Sequence, residues 1–363
     1  AANSATVTNG THIQLGKVRI GSAAADFSGW RNIWAAKPKA GVTALPLAYT
    51  TGTSRYNFAF MLGDTDPLIG NNAVPQGAGY AAFTMKTTGS VSLAGKTPDG
   101  ESFTSTVPMG PNGQFFVFKT LYTTTTKGSI YSKNMKIEAQ TLLDDNEITG
   151  SLSQVRPPNP GKLTAVRPFR SGFGTTQVLS TVPATTVTTP VSYVAMGGRY
   201  VAPPRLGPNV FLNMLPGQAD LSFSEDGDVD NSPATPGDIN SLLNPDITIS
   251  IGAASRITVP QRNTVTSTNL ASTTLKATAS TGVFSGQFVL SDPNPVAGQK
   301  PNPVKRTVKY FGMVVRVRNT VPHDTFGLGY FMIDQLPQVG TPNTTTTTSP
   351  RFSGIVSLKK KQP

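Results

Sequence analysis

The sequence predicts an all-β fold, and three observations carry that prediction. Glycine (35) and proline (30) interrupt the 363 residues so often that few uninterrupted segments are long, and short segments are typical of strands rather than helices. Many of these segments alternate apolar and polar residues, as half-buried strands do. Threonine, which favours strands, is abundant. We therefore expect an antiparallel barrel or paired sheets built from two related β meanders, with an N-terminal extended arm.

These patterns divide the chain into an arm, a β domain and a tail. The predicted parts are residues 1–55 (the N-terminal arm and leading strands), 56–358 (the β domain, in two related halves at about 56–190 and 191–358) and 359–363 (a basic tail). Within the arm, Thr11–Ile20 alternates like a strand. We expect it to add to the open sheet edge of a neighbouring copy.

The first half contains a strand and a turn that can be assigned from their letters. In Asn134–Gln140, Met135 and Ile137 fall on one face, with Lys136 and Glu138 on the other. The segment TPDG at Thr97–Gly100 predicts a tight turn, because Pro presets φ, Asp bonds locally and Gly accepts positive φ.

The second half shows the same patterning. Phe311, Met313, Val315 and Val317 share one face of a predicted strand that has arginines on its other face. Near Ser280–Leu290, a glycine, Gly286, lies between Phe284 and Phe288 on one face, where it leaves space between the two rings.

A short phrase that joins a Thr/Ser/Phe–Gly pair to an alternating run occurs four times. Its copies are Thr87–Lys96, Ile148–Val155, Ser280–Leu290 and Phe352–Leu358. Each glycine can supply a turn, a bulge or a close approach that a Cβ would obstruct. Two explanations stay open: descent of two meanders from one unit, or chance recurrence in a chain rich in Gly and Thr.

Longer phrases support a resemblance to a known family. They are Pro75–Thr104, Gly197–Pro204, Ala279–Phe288, Tyr310–Val315, Gly327–Ile333 and Ser353–Leu358. In order and spacing, the stretch from Tyr56 to Leu358 resembles the β-rich repeat domain of secreted, autotransporter-like surface proteins of Verrucomicrobia and Planctomycetes. The resemblance implies a secreted β domain without known catalytic residues. The chain departs from that pattern in its first 55 residues and in an acidic insertion near Glu225–Asp238.

Composition points to the cell surface and to self-association. Cysteine is absent, which excludes disulfides, thiolate nucleophiles and Cys-type zinc sites. Its absence beside abundant Thr, Gly and Asn is typical of large bacterial surface proteins, and it is also compatible with a phage or virus structural protein. The net charge is +12, but the charges alternate in blocks: basic over Arg156–Arg205, acidic over Asp220–Asp246 and basic again over Lys300–Arg318. Unlike faces favour head-to-tail contacts between copies. No stretch of about 18 apolar residues predicts a membrane span.

No catalytic constellation stands out, so we expect no enzyme activity. His12 and His323 have neither triad nor metal-ligand spacing, and the carboxylates Asp64 and Asp66 lie in turn-like contexts. Basic segments without interleaved aromatic residues do not favour nucleic-acid binding.

One metal site is a candidate. Asp226, Asp228 and Asp230 are spaced as alternating ligands of a Ca²⁺ loop, with Asp238 one residue beyond the final ligand position. The alternative is a solvated acidic loop. No other cofactor is expected.

The expected function is that of a secreted, extracellular structural subunit, bacterial in type. It would self-assemble as a homo-oligomer into a fibre, sheath or surface layer. The alternative is a carbohydrate-binding adhesin that recognises cell-envelope polysaccharide. The adhesin would need Trp30 and Trp34 exposed together, whereas we expect both to pack against the core or a neighbour.

Overall fold

The structure is a computed structural model, and it is all-β. It describes residues 5–7, 13–20, 23–30, 54–86, 89–110, 113–122, 127–138, 146–158, 169, 172–179, 185–224, 244–262, 268–317 and 324–361. Among these residues, no helix has the length and apolar character that a membrane crossing requires.

The N-terminal arm contains a small antiparallel sheet. Its strands are β1 (Ala5–Val7), β2 (Ile13–Ile20) and β3 (Ala23–Trp30), in the order β1-β2-β3. Strand β2 pairs on both of its sides, with β1 and with β3. Strand β3 pairs along the whole of one edge of β2, whereas β1 covers only Gln14–Gly16 on the other. The expectation that Thr11–Ile20 adds to a neighbour's sheet stays a prediction, and β3 offers a second, longer edge.

The first large sheet has eight antiparallel strands. They are β4 (Ser54–Met61), β5 (Gly79–Met85), β6 (Ser90–Lys96), β7 (Ser102–Pro108), β8 (Phe118–Leu121), β9 (Gly128–Glu138), β10 (Glu147–Val155) and, after a separate pair made of β11 (Thr175–Leu179) and β12 (Thr185–Thr189), β13 (Val191–Arg199). Their order is β7-β6-β5-β4-β13-β10-β9-β8. The last strand of the meander thus pairs with the first and covers its edge.

The second large sheet repeats this plan. It contains β14 (Gly217–Ser224), β15 (Ile247–Ile251), β16 (Ile257–Thr258), β17 (Thr274–Thr278), β18 (Val283–Asp292), β19 (Val304–Val317), β20 (Asp324–Asp334) and β21 (Arg351–Lys360). The order is β16-β15-β14-β21-β20-β19-β18-β17, again with the last strand beside the first. Two short 3-10 turns lie at Phe211–Asn213 and Ala253–Ser255. The predicted fold class, two related antiparallel meanders, is confirmed.

The structure differs from the predicted division of the chain at two boundaries. The division between the halves lies between Arg199 and Gly217 rather than at 190/191, because β13 must pair with β4 to complete the first sheet. The basic tail is not a separate segment where the structure describes it. Lys359 and Lys360 end β21 opposite Asp220 and Ala219, and the N–H of Lys361 donates to the Gln218 carbonyl at 3.0 Å.

Each sheet curls into a nearly closed barrel around its own core. In the first barrel, the ring of Phe83 lies 5.1 Å from that of Phe115. In the second, Phe223 lies 4.7 Å from Phe288 and 4.9 Å from Tyr310. Each fully buried aromatic side chain stabilises the fold by roughly 1.5–3 kcal/mol. The barrel interiors are therefore packed with side chains.

The two barrels pack against each other through their outer faces. Ala59 and Ala78 of the first barrel contact Val315 of the second, and all three are fully buried. The amide of Asn57 donates to the carbonyls of Thr281 and Val314, each at 3.0 Å. Small side chains on one surface and branched ones on the other allow the two sheets to approach closely.

Candidate functional site

A groove lies between the two barrels and is lined by residues of both. It has a volume of about 550 Å³. The first barrel contributes the end of β6 and the turn that follows it, including Lys96 and Glu101. The second contributes the outer faces of β19 and β20 and the start of β21. We call this surface the inter-barrel groove.

The alternation of β19 places its side chains in this groove. Val304, Arg306 and Val308 point into the barrel and are buried, whereas Lys305 and Lys309 point outward and are exposed. The same outward stripe continues into buried side chains where the first barrel covers it, as at Met313. One face of a single strand is therefore basic and exposed to solvent at one end, and apolar and buried at the other.

Three lysines give the groove its positive charge. The Nζ of Lys96 lies over the ring of Phe311, 5.1 Å from the ring centroid. The face of an aromatic ring attracts a cation, so this contact holds the Lys96 side chain in the groove. Lys305 and Lys309 make no ion pair with any residue that the structure describes. These two ammonium groups remain available to an anion.

The two arginines that line the groove both form ion pairs. Arg351 binds Asp334 through two contacts, Nε to Oδ1 at 2.5 Å and Nη2 to Oδ2 at 3.2 Å. Arg306 is buried and donates through Nη2 to Asp292 at 2.8 Å. These pairs hold the floor of the groove and its end wall in place.

A buried polar network supports the wall that the first barrel contributes. Asp99 accepts hydrogen bonds from Thr97 Oγ1 (2.5 Å), Tyr122 Oη (2.7 Å), Gln154 Nε2 (2.7 Å) and Arg156 Nη1 (2.8 Å). The guanidinium of Arg156 also lies 4.9 Å from the centroid of the Tyr122 ring. The turn at Thr97–Gly100 is thereby anchored inside the barrel end.

Glu101 brings a carboxyl group to the groove. Burial, reinforced by the neighbouring Asp99 carboxylate, raises the pKa of Glu101, while Arg156 and Lys96 act in the opposite direction. Thr307, Gln335 and Thr346 add neutral hydrogen-bonding groups, and Tyr330 and Met332 form an apolar floor. Cationic, neutral polar and apolar surfaces thus lie side by side, a combination that can bind a ligand.

A second feature is the open seam of each barrel. The end strands β7 and β8 share no ladder pairing, and neither do β16 and β17. Strand β16 has two residues and β8 has four, whereas β7 has seven. The longest edge at these seams is that of β7. Because short edges resist pairing with another chain, β7 is the edge best able to pair.

The residues singled out from the sequence have different outcomes. Asp226, Asp228, Asp230 and Asp238 lie outside the described residues, so the Ca²⁺ site stays a prediction. Among the residues that the structure describes, no group of three or more His, Cys, Asp or Glu side chains could hold a metal ion.

Of the candidate histidines and tryptophans, the structure describes only Trp30. His12, His323 and Trp34 lie outside the described part of the chain, and Trp30 ends β3. Asp64 is exposed, and Asp66 Oδ1 accepts the Leu68 N–H at 2.9 Å, as expected for turn residues.

Sequence patterns place Lys305 and Lys309 only within a basic block. The spacing K-x-T-x-K at Lys305–Lys309 is the signal that indicates a common site, since alternation puts both lysines and Thr307 on one strand face. The contribution of Lys96 carries no such signal, because it reaches the site from the other barrel.

Comparison of the chain with protein-family models, with curated proteins and with solved structures gives no match.

Proposed function

We propose that this chain is a non-enzymatic structural subunit of a cell surface that joins to further copies through its sheet edges. The observation that supports this proposal most directly is the seven-residue edge of β7, which has no ladder partner beyond β6 among the described residues. The filled barrel interiors support a structural role, and the absence of cysteine and the family resemblance described above support an extracellular one.

The hydrogen-bond alternation of β7 identifies which of its groups face the open edge. Met109, just after β7, donates its N–H to Gly89 on the β6 side at 2.8 Å. In an antiparallel pair the N–H groups of successive residues point to opposite edges. Residues at even positions therefore direct their N–H groups away from β6, as Thr104 and Thr106 do. Pro108, with no N–H, closes this row of donors.

The N-terminal sheet offers a matching edge. Strand β3 has eight residues and pairs with β2 on one side, and its other side has no ladder partner among the described residues. Pairing of β3 from one copy with β7 of the next adds one sheet to another by β-augmentation. The two edges differ, so the contact is head-to-tail and extends into a fibre or layer unless its rotation closes a ring.

An edge-blocking variant tests the proposal. Thr104→Pro combined with Thr106→Pro removes two outward donors and leaves the ladder to β6 intact, since edge strands tolerate proline at such positions. We expect wild-type protein to form extended assemblies in sedimentation velocity and negative-stain microscopy, and the proline variant and a chain lacking residues 1–53 to remain monomeric.

The matched control is Thr104→Val with Thr106→Val, which changes the same side chains but keeps both N–H groups. It should assemble like the wild type. A wild-type protein that stays monomeric, or a proline variant with a native circular dichroism spectrum that assembles normally, would contradict the proposal.

A further inference from the structure

From its charge and geometry, we infer that the inter-barrel groove is a binding site for an acidic polysaccharide whose charges are carboxylates. This inference stands apart from the edge pairing proposed above, because it uses neither β7 nor the N-terminal sheet.

The spacing of the two free lysines indicates a chain-like ligand. Lys305 and Lys309 lie on one face of β19, four residues apart, which corresponds to about 13 Å along an extended strand. With both side chains extended, the two ammonium groups face different points along the groove, and a polymer that carries a charge on successive units can meet both at once. Thr307 lies between the two lysines, where it can hydrogen-bond the segment that joins those charges.

The rest of the lining favours sugars over nucleic acid. A single-stranded nucleic acid needs exposed aromatic faces for its bases. Here the face of Phe311 is occupied by Lys96, and Tyr330 is 4 % exposed. A guanidinium plane can also stack on a base, but that of Arg351 is held by its two contacts to Asp334.

The carboxyl group of Glu101 also favours a ligand with hydroxyl groups. It lines the same groove as the lysines and accepts hydrogen bonds from hydroxyl groups, which every ring of a polysaccharide carries. Gln335 and Thr346 supply further partners for hydroxyls, and Met332 offers an apolar surface to the carbon-bound hydrogens of a sugar ring. A uronic acid chain presents carboxylates, hydroxyls and such apolar faces together.

Titration calorimetry with defined oligogalacturonates tests this assignment. We expect binding that weakens as salt rises, because the contacts are partly ionic. Replacing both lysines, Lys305→Gln with Lys309→Gln, should weaken binding about tenfold or more, as expected for the loss of two exposed ionic contacts. Circular dichroism melting verifies that the variant is folded.

The matched control removes two lysines from exposed strand positions elsewhere, Lys119→Gln with Lys133→Gln, and should change the affinity less than about twofold. Neutral dextran, oligothymidylate and polyglutamate of similar length serve as competing ligands. Equal losses in both lysine variants, no binding of oligogalacturonate, or tighter binding of oligothymidylate or polyglutamate would each overturn the assignment.

Discussion

At the scale of single residues, Asp99 shows how a turn residue comes to hold a barrel end closed. Its side chain has no exposed surface and faces Arg156, which is 8 % exposed, at 2.8 Å. A buried pair of this kind is tolerated because further hydrogen bonds satisfy both partners. The half-exposed pair of Asp334 and Arg351 has a different environment, since water screens it.

Because the two ion pairs differ in burial, neutralising the aspartate of each should lower the free energy of unfolding by different amounts. Asp99→Asn leaves the charge of Arg156 buried without a counter-ion, so we expect a loss of about 3–5 kcal/mol in the free energy of unfolding. Asp334→Asn at the screened pair should lose about 1 kcal/mol or less. Urea denaturation of both variants checks the prediction, and equal losses would show that the Asp99 network does not stabilise the barrel.

The sequence predicts the turn at Asp99 but not the network. Pro98 and Gly100 determine the local backbone, and the N–H of Gly100 donates to the Thr97 carbonyl at 2.9 Å as that turn requires. Three of the four partners of Asp99, by contrast, lie 23, 55 and 57 residues further along the chain. They meet only when the strands have paired, so no local pattern shows them.

At the scale of one strand, β18 explains why Gly286 is glycine. Phe284 and Phe288 do share the inner face, as the alternation predicts, and both are buried. The space above Gly286 is filled by Tyr310 of β19, whose hydroxyl donates to the Thr274 carbonyl. A Cβ at Gly286 would lie 2.6 Å from Cζ of Tyr310 and far too close to the same carbonyl oxygen.

Gly286→Ala should therefore destabilise the second barrel. The backbone of β17 and the ring of Tyr310 must both move, and such overpacking costs about 1–3 kcal/mol. Gly252→Ala is the control, because its nearest new neighbour would be the Arg256 carbonyl at 3.7 Å. It should change the free energy of unfolding by less than about 0.5 kcal/mol. Chemical denaturation measures both, and a stable Gly286→Ala protein would refute the packing argument.

The repeated glycine phrase has several local causes. Gly89 and Gly282 adopt positive φ at turns, of 76° and 75°, Gly150 lies at the register shift of β10, and Gly354 lies within β21. These positions are not equivalent in the two sheets. Both sheets are antiparallel meanders, and the local backbone demands of antiparallel strands account for the phrase without a periodic unit.

At the scale of the whole molecule, the main departure from the sequence pattern is β19. Alternation predicts its faces correctly, and strands with one polar face would leave that face in water. Yet the outer face of β19 is apolar where it packs against the first barrel, at Phe311, Met313, Val315 and Val317. Its inner face points into the second core, at Val308 and Tyr310 among others. An apolar outer stripe signals a partner surface, but the strand itself does not identify the partner as the other half of the same chain.

This shared surface should make the two barrels unfold together. Val315 is fully buried between them and does not belong to either barrel core. Val315→Asp places a carboxylate inside a buried apolar cluster, a change that costs several kcal/mol. Because both barrel cores remain complete, the expected result in calorimetry is the replacement of one transition by two. Val194→Asp on the outer face of β13, where the valine is 48 % exposed, is the matched control and should keep the single transition. A wild type that already unfolds in two steps would show that the barrels are independent, and the inter-barrel groove would then lack the fixed geometry that binding across it needs. A Val315→Asp variant that keeps one transition, as the control does, would show that the contact at Val315 does not couple the two barrels.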